Sequence, residues 1–231
     1  GTVYANYAVN EADVVLALGI RFDDRIAGVP KEFCKDATII HVDIDPAEIG
    51  KNKLIDIPIV GDLKHVLNEM NHELTPQTHE SWLERIREWR EEYPIRVHPH
   101  EGDSLLPQKV IYEIDNILKG NAIVVTDVGQ HQMWTSQFIT FSKPNTIITS
   151  GGAGTMGFGL PAAIGAQVAQ PDKKVVLITG DGGLQMNSQE LLLLKAYNIP
   201  VKVVIINNGF LGMVRQWQEL FNQRRYSFVD L

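Results

Sequence analysis

Two apolar runs in the second half of the chain, residues 175–179 (VVLIT) and 201–206 (VKVVII), stop on residues that do not extend a strand. The first ends at Gly180-Asp181-Gly182 and the second at Asn207-Asn208. Both runs are short, nearly continuous and rich in Val and Ile. That composition marks strands covered on both faces, as in parallel sheets. Similar runs at 122–126 and 146–149 alternate with helical stretches near 131–140, 158–169 and 188–197, the first helix opening at Pro107. Proline is tolerated at a helix start, where its missing N–H is no loss. The alternation predicts a doubly wound parallel α/β unit over 107–231. In such a unit both polar turns lie at one carboxyl-terminal sheet edge, where ligands bind.

The first part of the chain repeats the theme. A helical opening runs into a strand at 13–18 (DVVLAL) and the loop GIRFDDRIAG. A second strand at 37–45 (ATIIHVDID) is stopped by Pro46, and a third at 57–60 precedes Gly61-Asp62 and the helix LKHVLNEM. This predicts another parallel α/β unit over 1–75, itself part of a larger domain. Residues 76–106 are expected to join the two units. They hold an amphipathic helix at 81–92, with Trp82, Leu83, Ile86 and Trp89 at helical spacing, and an irregular Pro- and His-containing connector.

The 231 residues, 44% hydrophobic and 21% charged, are enough for two modest cores. A net charge of −7 argues against a nucleic-acid partner. The longest aliphatic runs, 14–18 and 191–194, are far too short to cross a bilayer. Cys34 is the single cysteine, which excludes an internal disulfide framework and a cysteine-rich zinc site. It also favours a reducing compartment. Gly1 opens without an initiator Met and Leu231 closes without a cap, so a piece of a longer protein is expected.

Asp181 offers a hard anionic oxygen, and Asn208 an amide oxygen. With a backbone carbonyl near Phe210 they form a donor set suited to Mg²⁺, which completes its octahedron with phosphates or water. Gly180, Gly182 and Gly183 let a backbone approach a diphosphate, and a helix N-terminus after them supplies N–H donors. Asp-Gly and Asn-Gly are also ordinary turn dipeptides. Their pairing at the ends of two neighbouring buried strands is what points to a site.

GDG followed at this interval by NN resembles the diphosphate- and metal-binding motif of thiamine diphosphate enzymes. TDVGQHQMW (126–134), TSGGAGTMGFGLPAAIGA (149–166) and NNGFLGMVRQWQELF (207–221) resemble the cofactor domain of the acetohydroxyacid synthase (acetolactate synthase) catalytic subunits. GTVYANYAV and LGIRFDDRIAG resemble that family's central, FAD-binding domain. The resemblance implies metal ligation by Asp181, Asn208 and the Phe210 carbonyl, and a cofactor held bent by Met156. It implies that Gly129, Gln130 and His131 border the diphosphate and the reacting carbon. Gly154, Gly182, Met186 and Met213 would line the same pocket. In the first unit it implies FAD contacts from Gly19, Arg21, Asp23, Arg25 and Ile26. Asp43, with Ile44, would meet a ribose, and Gly61-Asp62 the flavin nucleotide. The dinucleotide motif GxGxxG is absent, so flavin binding rests on the resemblance.

The implied reaction is decarboxylation of pyruvate and condensation of the hydroxyethyl unit with a second 2-oxoacid, pyruvate or 2-oxobutanoate. Gln130, His131, Arg25 and Trp217 are the expected catalytic set. Arg25 would grip the acceptor carboxylate and Trp217 would select the acceptor. FAD has no net redox role in the family. Its activating Glu would lie upstream of Gly1, and its sites form between subunits. A homodimer or homotetramer with a small regulatory subunit is therefore expected, in the cytoplasm or, in a photosynthetic eukaryote, the plastid stroma. The fragment alone should be inactive. The competing expectations are another thiamine diphosphate-dependent 2-oxoacid decarboxylase or pyruvate oxidase, and a non-catalytic nucleotide-binding module. Cys34, Trp82 and Trp89 read as packing residues, and His72, His79, His98 and His100 lack metal-ligand spacing.

Overall fold

A computed structural model of the chain describes residues 2–23, 26, 28–95 and 105–231. Two compact units divide at residue 95.

In the first unit, helix α1 (Val3–Asn10) leads to strands β1 (Val14–Leu18), β2 (Thr38–Asp43) and β3 (Ile57–Val60), then to helices α2 (Leu63–Glu73) and α3 (Glu80–Glu92). The strands run parallel in the order β1-β2-β3. Pro58 has no N–H to give a ladder, and it sits on the outer strand, where that is tolerated. Leu18 lies opposite Val42 and Asp43 opposite Val60, so Gly19, Asp43 and Gly61 reach one carboxyl edge. Beneath that edge Ala17, Phe22, Cys34 and Ile39 form a small core. Asp62 caps α2, its Oδ1 accepting the His65 N–H at 3.1 Å.

The helix expected between the units packs on α1 instead. Trp89 is buried, with Tyr7 at 5.6 Å and Trp82 edge-on at 5.8 Å. Trp89 of the apolar stripe is thus the anchor on the first unit, with Trp82 and Ile86 partly covered, while Leu83 of the same stripe is exposed. His98 and His100 lie outside the described residues.

The second unit contains α4 (Pro107–Leu118), β4 (Ala122–Thr126), α5 (Gln130–Phe138), β5 (Ile147–Thr149), α6 (Gly159–Ala169), β6 (Lys174–Gly180) and α7 (Asp181–Met186). A 3-10 turn (Ser188–Glu190), α8 (Leu191–Ala196), β7 (Lys202–Ile206) and α9 (Gly212–Phe221) complete it. All four strands are parallel, in the order β5-β4-β6-β7. Alternate residues feed two cores. Val124, Val176 and Ile178 face one with Ile111 and Ile139; Val125, Val175 and Leu177 face the other with Leu160 and Ala163. Covered faces on both sides explain strands that are apolar at nearly every position, each buried Val or Ile contributing about 1.5–3 kcal/mol.

From β4 the chain moves outward to β5, then crosses back over β4 to β6. The switch point therefore lies between the carboxyl ends of β4 and β6. One local expectation needs correction. Asp181 is not in a loop before a helix; it is the first residue of α7, with Gly180 as N-cap.

Candidate cofactor and metal site

The two polar motifs touch. Asp181, half-buried after β6, accepts the Gly209 N–H on Oδ2 at 2.8 Å. Gly209 has a φ of +70°, a conformation that side chains disfavour, so the turn after β7 can double back toward Asp181. Asn208 Oδ1 accepts the Phe210 N–H at 3.0 Å. A later segment braces this turn. Leu211 N–H donates to Val229 O and Leu231 N–H to Gly209 O, forming an antiparallel bridge between Phe210 and Asp230. In such a pair the flanking residues make the bonds, which leaves the Phe210 carbonyl outside the ladder. The Arg215 guanidinium lies 4.0 Å from the Phe210 ring centre and 4.3 Å from that of Tyr226, holding the Phe210 side chain.

Asp181, Asn208 and the Phe210 carbonyl thus come from one sheet edge as one carboxylate and two neutral oxygens. Among the described residues no cluster of three His, Cys, Asp or Glu exists. A cation here would keep positions open for phosphate or water, which suits Mg²⁺.

The glycines of the motifs make room mainly for each other's partners. A Cβ on Gly180 would lie 3.2 Å from the His131 ring. One on Gly182 would lie 3.0 Å from Leu211 and Leu231 and 3.6 Å from Met156 Cε. One on Gly212 would run into Gln130 Oε1 and crowd Asn208. Gln130 also donates to Gln216 Oε1 at 2.8 Å, so the GQHQMW and GMVRQWQ motifs meet through two neutral amides. Gly154 adopts a φ of +63° in the turn before Met156.

His131 is 6% exposed, and its Nε2 is buried with no hydrogen-bond partner. Burial pushes its imidazole below the ordinary value of 6.5, against the opposing charges of Asp127 and Asp181 and a bond to the Asp127 backbone. The ring is neutral at pH 7; its Nδ1–Cε1 edge faces Gly180, and Nε2 is the nitrogen left without a partner. Trp217 and Met186 are both exposed. Trp217 is 58% exposed and stacks on Phe221 at 4.9 Å, and the exposed Met186 abuts Gly157. Met213 is half-buried on α9.

In the first unit, Gly19 (φ +63°) donates to Val42 O at 2.8 Å, and Gly61 N–H to Asp43 O at 3.0 Å. Asp43 Oδ1 accepts the Asp45 N–H at 2.9 Å, and Arg21 pairs with Asp23 at 2.6 Å. Ile26 and Ile44 are exposed. Arg25 lies outside the described residues.

Comparison with known proteins bears on both edges. Residues 1–70 match the thiamine pyrophosphate enzyme central domain, and residues 127–231 match the thiamine pyrophosphate enzyme C-terminal TPP binding domain. The chain belongs to the thiamine pyrophosphate enzymes. It is 52% identical to the acetolactate synthase large subunit of Pyropia yezoensis over 98% of its length. It is 51% identical to that of Parasynechococcus marenigrum (strain WH8102), and 48% identical to the acetolactate synthase of Mycobacterium leprae (strain TN), both over 100% of its length. It covers 39%, 38% and 38% of those three relatives, about two fifths of each.

The second edge fits the cofactor of this family of thiamine pyrophosphate enzymes. It has a hard-oxygen donor set, an orphaned buried nitrogen at His131, and Met156 reaching the GDG turn. One central residue escaped the sequence reading. Asp127 is 1% exposed at the end of β4, accepts the Val128 N–H at 2.7 Å, and tethers the loop before α6. The rule that singled out Asp181, an acid ending a buried strand, applies equally to Asp127.

Proposed function

We propose that the protein containing this chain is an acetolactate synthase catalytic subunit, a transferase that condenses two 2-oxoacids. Relatives of that name share about half of the residues across both units. The observation that carries the reading is the contact between Asp181 and Gly209, because it joins a diphosphate turn and a metal turn at one sheet edge. The Gln130–Gln216 contact supports the narrower assignment, since it links the two stretches most characteristic of the resemblance.

In this reading Asp181, Asn208 and the Phe210 carbonyl hold Mg²⁺ and, through it, the diphosphate. Met156 supports the organic part of the cofactor from the opposite loop. The bound cofactor supplies the electron sink for decarboxylation of a 2-oxoacid. His131, buried and neutral, orients a polar group beside Gly180 without adding charge. Arg25 grips the acceptor carboxylate, and Trp217 offers a flat apolar face to the acceptor's alkyl group. FAD occupies the edge formed by Gly19, Asp43 and Gly61, with Arg21 and Asp23 beside it. Pyruvate is the donor, and pyruvate or 2-oxobutanoate the acceptor. The active form is a homodimer or homotetramer with a regulatory subunit, in the cytoplasm or plastid stroma, and the buried thiol of Cys34 accords with a reducing compartment.

The test uses the complete protein with pyruvate, thiamine pyrophosphate and Mg²⁺, with product analysis. Acetolactate is expected. Acetaldehyde or acetate as the main product would favour a decarboxylase or pyruvate oxidase instead. Flavin absorbance of the purified protein tests the FAD assignment; full activity without flavin would overturn it.

A further inference from the structure

We propose that Asp127 is a positioning residue that fixes the Met156 loop against the Gly180–Asp181–Gly182–Gly183 turn and so sets the shape of the cofactor cradle. This rests on the reading of that sheet edge as the thiamine pyrophosphate site.

Asp127 follows β4 at the topological switch point. A carboxylate is costly to bury unless its oxygens accept hydrogen bonds. Here the donors are backbone N–H groups from two places. Val128 supplies one at 2.7 Å, within the same turn. Gly157 and Gly159 supply the others, at 3.0 Å to Oδ1 and 2.8 Å to Oδ2. Gly157 is the residue after Met156, and Gly159 is the first residue of α6. Both oxygens thus grip the loop that carries Met156.

The other side of Asp127 faces the diphosphate turn. A Cβ on Gly183 would lie 2.6 Å from Asp127 Oδ1, and one on Gly159 would lie 2.9 Å from Asp127 N. Gly183 was expected to leave space for a phosphate, but the space it leaves is filled by Asp127. Met156 Cε closes the circuit at 3.6 Å from the Cβ position of Gly182. Three segments far apart in sequence therefore share one carboxylate.

Asp127→Asn is nearly isosteric but replaces one acceptor with a donor. Whichever way the amide turns, an N–H group among Val128, Gly157 and Gly159 loses its acceptor and meets another N–H. The test measures thiamine pyrophosphate affinity by calorimetry in the complete protein at saturating Mg²⁺, together with amide hydrogen exchange. We expect D127N to bind about tenfold or more weakly, as when the supports of a metal site are removed. Exchange should quicken at residues 155–160 and stay slow in β4 and β6. Wild-type affinity in folded D127N overturns the proposal. A purely architectural role would lower the unfolding temperature of the cofactor-free protein but leave the affinity of the folded protein intact.

If D127N does not fold, Gly183→Ala and Asp127→Ser supply the answer. G183A pushes on Oδ1 from the turn, and the shorter Ser relieves that push. The two losses in affinity should then combine to less than their product. Independent, multiplying losses overturn the proposal. Failure of the wild-type protein to bind thiamine pyrophosphate would overturn the cofactor reading, while exchange at 155–160 would still report whether Asp127 holds the loop.

Discussion

At the edge of the second sheet, Asp181 bonds to Gly209, 28 residues away, Asp127 to Gly157 and Gly159, 30 and 32 away, and Gln130 to Gln216, 86 away. At the edge of the first sheet the long-range ties run through backbone carbonyls, from Gly19 to Val42, Gly61 to Asp43 and Asn52 to Arg21, while several acid side chains bond close by in sequence. Arg21 pairs with Asp23 and Asp43 bonds to Asp45, both two residues on, and Asp62 bonds to His65, three residues on. Both edges carry acids and glycines at the ends of parallel strands. In the second they are tied across the fold, so the cradle has its shape before any ligand arrives. In the first they make turns and caps, which a ligand must draw on as they stand. Preorganisation of this kind is what a metal–diphosphate site requires, and it is set by tertiary contacts, not by residue type.

The sharpest break in this comparison comes from removing one acid of the second edge. Asp181→Ala deletes the single carboxylate of the metal donor set and its bond to Gly209. Mg²⁺-dependent cofactor binding by the complete protein should weaken by about a hundredfold or more. Calorimetry with thiamine pyrophosphate decides it, and near-normal affinity would remove Asp181 from the site.

The next effect tests how tightly the second edge is built. A Cβ on Gly159 would lie 2.8 Å from Leu177 Cδ1 and 2.9 Å from the Asp127 backbone nitrogen. The framework on that side cannot yield cheaply. Gly159→Ala should destabilise by about 3 kcal/mol, at the high end for overpacking. Denaturant unfolding would show it as a lower midpoint, whereas an unchanged midpoint would mean the edge is looser than described.

Trp217 tests whether an exposed residue belongs to the second edge at all. Trp217→Leu should reduce the preference for 2-oxobutanoate over pyruvate about tenfold, roughly 1.4 kcal/mol, with acetolactate formation largely retained. Competition between both acceptors in one vessel reads the ratio directly. A constant ratio would leave Trp217 as a surface partner of Phe221.

The smallest effect belongs to the first edge. Asp62→Ala removes a helix cap and should cost about 1 kcal/mol of stability. If Asp62 also serves the flavin nucleotide, flavin content should fall in parallel. A loss of stability with full flavin content would confine Asp62 to capping α2.

The parallel strands and their shared edge were legible because buried parallel strands carry their own signature. Runs such as 122–125 are apolar at every position, and the polar residues that end each run mark the edge. The meeting of the turns after β6 and β7 was legible for the same reason. Asp127 was equally legible as an acid ending a buried strand; only the identity of the backbone N–H groups it accepts leaves no trace in residue type. The carboxylate that occupies the side-chain space of Gly183 was illegible likewise, since a glycine that makes room for a ligand and one that makes room for a carboxylate look alike in a sequence. Helix α3 was taken as a joint because its apolar stripe does not say which surface it covers. Only the aromatic contact of Trp89 with Tyr7 on α1 answers that.

The bridge from Asp230 to Phe210 makes two stretches of chain share one fate. Val229 is wholly buried beside the metal turn, and Leu231 rests on Gly182. Whatever stiffens the turn, a bound cation included, also stiffens residues 229–231. By reciprocity, tension applied at Leu231 registers at the turn as a change in affinity of the same size. A bulky insertion directly after Leu231 would therefore act as a load on that turn. The same insertion flanked by slack linkers would leave the turn at rest.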